Sequence, residues 1–269
     1  MKPMTNGTVQ YGVDDGVASV MLDRPDTLNA MTNGLMDDLR EAIETAEADA
    51  DVRVLILTGN GAGFCAGADL KQFGDDRRAE PAPSDGSELS AMDAHFHPAV
   101  RALYGCRVPT IARVNGVAAG GGFGLALTCD ITIAVESTFF VATFGPKLGI
   151  VPDMGTTWHL PMRLGRARAL GMAMLGDRMP ATEAAALGLI YAAVPDDALD
   201  DEVGRIAEQL KRSSNMAMTR IRSAIDRALL NGYSDQLEVE GQHQKVLIPK
   251  NMAEGAAAFV EKRDPVFDT

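Results

Sequence analysis

The chain has 269 residues, 46% of them hydrophobic, a formal charge of -12 and a pI near 4.8. That suffices for one large domain with an appendage, and without a long apolar run or a concentration of Lys and Arg it reads as neither membrane-spanning nor nucleic-acid-binding. The first 13 residues lack the basic flank and apolar stretch of an export signal, and Cys65, Cys106 and Cys129 are too scattered for a disulfide framework or metal pair, so a reducing cytoplasm is expected.

Residues 9–13 and 17–22 predict two strands joined by a turn at Asp14-Asp15-Gly16. Thr32 predicts a helix N-cap, followed by Leu35, Leu39, Ile43 and Ala46 on one face, with Asp37, Arg40, Glu41 and Glu44 outward. The aliphatic run 52–57, ending in Thr58-Gly59, is short enough for a buried strand. Residues 74–87 are poor in apolar side chains and rich in turn formers, and a lid beside a site and a solvated insertion are equally open readings. His95-Phe96-His97 alternates, which is a weak metal pattern and more commonly surface or pocket lining. Residues 110–114 and 131–135 are further short strands, with a glycine run and the helix formers Leu125-Ala126-Leu127 between them. Residues 165–175 are rich in Ala, Met, Leu and Arg, and 196–263 are almost continuously helical in composition, punctuated by Pro195 and Pro249. The change of period predicts an α/β core over 1–195 and a helical region over 196–269.

Two segments end aliphatic runs in small, glycine-rich backbone: Phe64-Cys65-Ala66-Gly67-Ala68-Asp69-Leu70-Lys71 and Val114-Asn115-Gly116-Val117-Ala118-Ala119-Gly120-Gly121-Gly122. A peptide N–H reaches a ligand only where no bulky side chain crowds the approach. Together the segments read as two N–H groups aimed at one carbonyl oxygen, the equipment for stabilising an enolate of a thioester. For the second segment a tight turn before a helix is the plain alternative.

Arg24-Pro25-Asp26-Thr27-Leu28-Asn29-Ala30, both glycine-rich segments, Leu125-Ala126-Leu127-Thr128-Cys129-Asp130, Leu187-Gly188-Leu189-Ile190 and Phe259-Val260-Glu261-Lys262-Arg263 resemble, in order, the crotonase (enoyl-CoA hydratase/isomerase) superfamily. Within it, residues 149–158 and 165–169 are most similar to the phenylacetate-pathway epoxyphenylacetyl-CoA isomerase type. The resemblance implies an α/β spiral of ββα units whose C-terminal helical region closes over CoA and joins copies into trimers or dimers of trimers. It also implies an acyl-CoA thioester substrate, with CoA as part of that substrate and no metal or redox cofactor.

By the family pattern, the backbone N–H groups of Ala68 and Gly121 form the oxyanion hole and Asp153 is the catalytic carboxylate. Burial against Met154, Phe144 and Trp158 would raise its pKa, and its plain alternative is an N-cap for a helix beginning near Gly155. Arg24, Leu28, Ala66, Asp69, Leu70, Lys71, Phe259 and Lys262 are candidates for CoA contact. Met92, Phe96, Phe123, Phe144 and Trp158 are candidates for the acyl pocket, and His95 or His97 as a second proton carrier stays open. The two glutamates of the family's hydratases fall on Gly124 and on Gly145 or Phe144, depending on where an apparent extra residue before Lys147 is placed. Neither is a carboxylate, which favours an isomerase, shifting a double bond or opening a ring-epoxide, over a hydratase with atypical acid-base groups. A non-catalytic acyl-CoA-binding relative is the rival from another class.

Overall fold

The turn at Asp15-Gly16 has both residues at positive φ, 44° and 77°, the backbone hand that lets a two-residue loop match the twist of its strands. It joins β2 (Val9–Asp14) to β3 (Val17–Leu22) in an antiparallel pair, with the two-residue strand β1 (Lys2–Pro3) beside β2. The computed structural model describes residues 1–71 and 90–267, so the open reading of 74–87 lies outside the described residues.

Helix α1 (Asn33–Ala48) starts as predicted, with the Thr32 hydroxyl accepting from the Leu35 N–H at 3.2 Å. Its Leu35, Met36, Leu39, Ala42, Ile43 and Ala46 are buried. Asp38 is also buried, a position the helical pattern gave no reason to single out. Its carboxylate accepts from the main-chain N–H groups of Asn6 and Thr8 and from both their side chains, at 2.7–2.8 Å.

From β3 onward one sheet grows by parallel addition of β4 (Val54–Gly59), β6 (Thr110–Val114), β8 (Ile131–Val135) and β11 (Ala192–Val194). The strand expected at 52–57 thus begins two residues later and includes Thr58-Gly59. After β4, β6 and β8 the chain leaves the large sheet and adds a short strand, respectively β5 (Gly63–Cys65), β7 (Val117–Ala119) and β9 (Phe139–Val141), to a second sheet closed by β10 (Met179–Pro180). This repetition winds the chain into a spiral of strand pairs, and it delivers the glycine-rich ends of β5 and β7 side by side.

Alternation of side chains divides the core. In β4 and β6, Val54 and Ile111 face one layer with Ile133, Leu199, Val203 and Ile206, while Leu55, Leu57, Ala112 and Val114 face the larger layer with α1. The first layer is covered by α6 (Leu199–Lys211), and the second also takes in α2 (His97–Tyr104) and the wholly buried α3 (Gly121–Thr128). Helix α4 (Thr156–Leu175) is interrupted at Gly165, whose φ of 74° and ψ of 164° are not helical. After the short α5 (Ala181–Ala186) and β11, the chain is helical through α6, α7 (Asn215–Ala228) and α8 (Tyr233–Glu261). Pro249 stands inside α8 and does not end it, at the loss of one N–H donor. Only Val239 and Ala258 of α8 are buried.

Candidate active site

Gly67 and Gly120 take φ of 95° and 52°, and a side chain at Gly67 would lie 2.9 Å from the Ala119 carbonyl oxygen and 3.3 Å from the Gly121 nitrogen. Only glycine lets these two segments touch. Met31 pairs with the first segment, its N–H donating to Gly67 and its carbonyl accepting from Asp69. In a parallel bridge this turns the Ala68 N–H the other way. Gly121 is the first residue of α3, so its N–H has no helical partner and carries the positive end of the helix dipole. Among the described residues neither N–H has an acceptor, and both residues border one cavity of about 90 Å³.

The same cavity is bordered by Asp153, by Met92, Phe96 and Phe144 of the acyl-pocket candidates, by Ala66 and Leu70, which the sequence offered for CoA contact, and by Met31, Leu148 and Ile150, which sequence reasoning missed. Asp153 Oδ1 is buried, has no hydrogen-bond partner among the described residues and lies 3.5 Å from where a Cβ on Gly121 would stand. Asp153 is not the helix cap: Gly155 occupies that place, and it is the Asp153 main-chain oxygen that accepts from Thr156. Burial pushes the Asp153 carboxyl up from its ordinary range, with nearby His97 acting in the opposite sense. The next residue, Met154, is held at φ 51°, a strained value for a side-chain-bearing residue.

No carboxylate occupies either hydratase position, and at Gly124 there is no space for one. A Cβ there would meet the Met154 carbonyl oxygen at 2.5 Å and Thr156 Oγ1 at 2.6 Å. The apparent extra residue before Lys147 takes physical form as a π-turn, Phe144–Leu148, the arrangement in which a helical turn absorbs one additional residue. A second π-turn, Met92–Phe96, faces the same cavity.

Other expected residues go elsewhere. Phe123 is fully buried against Phe140, ring centroids 5.3 Å apart, because α3 is enclosed on every side; it belongs to the core and not to the cavity wall. Trp158 packs edge-on to Tyr104 and His159 beside a different cavity of about 530 Å³, where burial holds His159 neutral, its pKa pushed down to about 3. Arg24 and Asp69 are given to each other at 2.9 Å, and Arg24 also donates to the Ala30 carbonyl, so its guanidinium is engaged within the fold. Hydrogen bonding to Arg24 lowers the Asp69 pKa. Leu28 lies outside the cavity but next to Ala66 on its border, the Ala66 N–H donating to the Leu28 carbonyl at 2.9 Å, and Lys71 is exposed beyond them. Phe259 and Lys262, at the end of α8, are exposed and do not border this cavity within one chain. A cavity of about 740 Å³ lies among the C-terminal helices, away from the paired amides. Chemistry, not volume, marks the site.

Residues 12–269 match the family model described as enoyl-CoA hydratase/isomerase. The chain is 39% identical over 256 residues to the 1,2-epoxyphenylacetyl-CoA isomerase of Escherichia coli, covering 95% of this chain and 96% of that one. It is 37% identical over 266 residues to a protein of Rhodobacter capsulatus named probable enoyl-CoA hydratase, covering 98% and 99%. The crystal structure of an enoyl-CoA hydratase from Polaromonas sp. JS666 matches with a TM-score of 0.88 at 31% identity, covering 97% of this chain and 99% of that one. The α/β spiral implied by the sequence resemblance is the fold observed.

Proposed function

We propose that this chain, which belongs to the enoyl-CoA hydratase/isomerase family, is an acyl-CoA isomerase that shifts a double bond, or opens a ring-epoxide, through an enolate held by the Ala68 and Gly121 amides. The observation that carries this reading is that, among the described residues, one carboxylate, Asp153, stands beside the paired donors with its Oδ1 buried, and that the first hydratase position is sterically closed at Gly124.

In the double-bond shift, a β,γ-unsaturated thioester sets its carbonyl oxygen on the two N–H groups. Asp153 takes a proton from the α-carbon, and the electrons of that C–H bond move toward the oxygen, giving a dienolate. The carbonyl then re-forms, the double bond moves to the α,β position, and the γ-carbon receives the proton back from Asp153. One carboxylate suffices because the proton is removed and returned, and the donors act where negative charge develops. The step consumes no water, metal or redox group, and CoA enters as part of the substrate.

The relative named 1,2-epoxyphenylacetyl-CoA isomerase supports a ring-derived substrate. Cavity size speaks for a smaller one: about 90 Å³ is below the ~150 Å³ of a cavity that accepts benzene. A ring therefore requires the exposed rim residues Leu148 and Ile150 to move outward. Self-association into trimers, or dimers of trimers, is supported by apolar side chains left outside the chain's own core, including Leu230, Tyr233 and Phe259, each more than 80% exposed. Phe259 and Lys262 would then meet CoA from a neighbouring copy.

Proton NMR in heavy water with α,β-enoyl, β,γ-enoyl and phenylacetyl-epoxide thioesters tests the assignment. The native chain is expected to isomerise one of them with deuterium entering the product, and Asp153→Asn to stop that exchange. Full isomerisation by Asp153→Asn would remove the residue from the mechanism, efficient water addition to crotonyl-CoA would restore the hydratase reading, and binding without exchange would make the chain an inert relative.

A further inference from the structure

Met92 and Phe96 stand one π-turn apart and both face the acyl cavity, whereas His95 between them does not border it. His95 turns to α1. Its Nδ1 lies 2.9 Å from both carboxylate oxygens of Asp37, 58 residues earlier in the chain. The neighbouring acids are otherwise engaged: Asp93 is held by Ser90 at 2.7 Å and His97 at 3.2 Å, and Asp38 faces Asn6 and Thr8. A π-turn is a single irregular turn set into a helix, so what holds it from outside bears on the direction of its side chains. Helix α1 is capped and packed into the main core, a rigid element to be held by.

We propose that His95 and Asp37 are positioning residues that set the depth of the acyl cavity, and with it the acyl-length preference, by pinning the Met92–Phe96 turn to α1. This rests on the reading of the cavity as an acyl-thioester site. Release of the pair lets Met92 and Phe96 withdraw, deepening the cavity and favouring longer chains over short ones.

The test is competitive binding of butanoyl-, hexanoyl- and octanoyl-CoA to the full chain and to His95→Ala, Asp37→Ala, the double variant and His95→Asn, whose amide N–H reaches the carboxylate much as Nδ1 does. Each alanine variant is expected to raise the octanoyl-to-butanoyl affinity ratio about two- to fivefold, the range of a partly exposed hydrogen-bonded side-chain pair. The double variant should match a single one, because both substitutions break the same contact, and His95→Asn should keep the native ratio. A ratio unmoved in both alanine variants, or additive effects in the double, overturns the proposal; a merely structural role would weaken all three ligands alike. If the native chain binds none of the thioesters, the reading of the site fails first and this inference with it.

Discussion

At Asp153 the requirements of folding and of proton transfer oppose each other. Desolvation raises its pKa, which brings a carboxylate closer to the pH at which a general base works best. The base must be ionised to act, so kcat/KM should fall as pH drops through this raised value, and the acid limb of the pH profile is expected above the range of an ordinary aspartate. A limb at or below that range would exclude Asp153 as the group observed. The sign for stability is reversed. The folded chain binds this proton more tightly than the unfolded chain, so the residue's contribution declines as pH rises from the ordinary aspartate range through the folded pKa. Asp153→Asn should therefore resist urea better than the native chain at neutral pH while losing about a hundredfold or more in turnover. A variant that is both slower and less stable would contradict the claim that burial of this charge is costly.

Helix α1 shows the opposite balance at Asp38. Desolvation would raise its pKa, but hydrogen bonds from the Asn6 and Thr8 main chain and side chains outweigh it, and the pKa is lowered. Its stabilisation is present above the unfolded aspartate range and is lost as pH falls toward the lowered folded value. Asp38→Ala removes the buried acceptor shared by the Asn6 and Thr8 donors and should cost about 1–3 kcal/mol in a urea titration, with loss of the native chain's acid-sensitive component; a change below ~0.5 kcal/mol, the ordinary surface range, would contradict this role. Period and capping made α1 and the short strands legible, since Thr32, Leu35, Leu39 and Ile43 act within one helix. Asp38 was not legible, because its partners lie about 30 residues earlier. Phe123 was misplaced because a helix buried on all sides has no polar face to orient it. The π-turn at Phe144–Leu148 left only an uncertain alignment, and its geometry follows from packing. Of the three side chains expected around Asp153, Phe144 borders the cavity and Met154 packs near Gly121, while Trp158 turns to Tyr104.

For the whole molecule, fold and paired amides were readable because they rest on backbone and glycine, whereas the surface of α8 was readable only as helix. Its exposed apolar side chains argue for association, and the charge of -12 on each copy argues against it. Salt screens the repulsion without weakening apolar contact. Sedimentation should thus give a mass that is a multiple of three chains, with the assembled fraction rising with salt; a monomer at all salt concentrations, or dissociation by salt, would refute this. The position of α8 has a further consequence for a chain made from its N-terminus. The segments bearing Ala68, Gly121 and Asp153 leave the ribosome before α8 does, so in the proposed assembly nascent copies lack this helix to join them until each has the means to complete its own pocket. Order of synthesis, by this placement, protects against premature entanglement between growing chains.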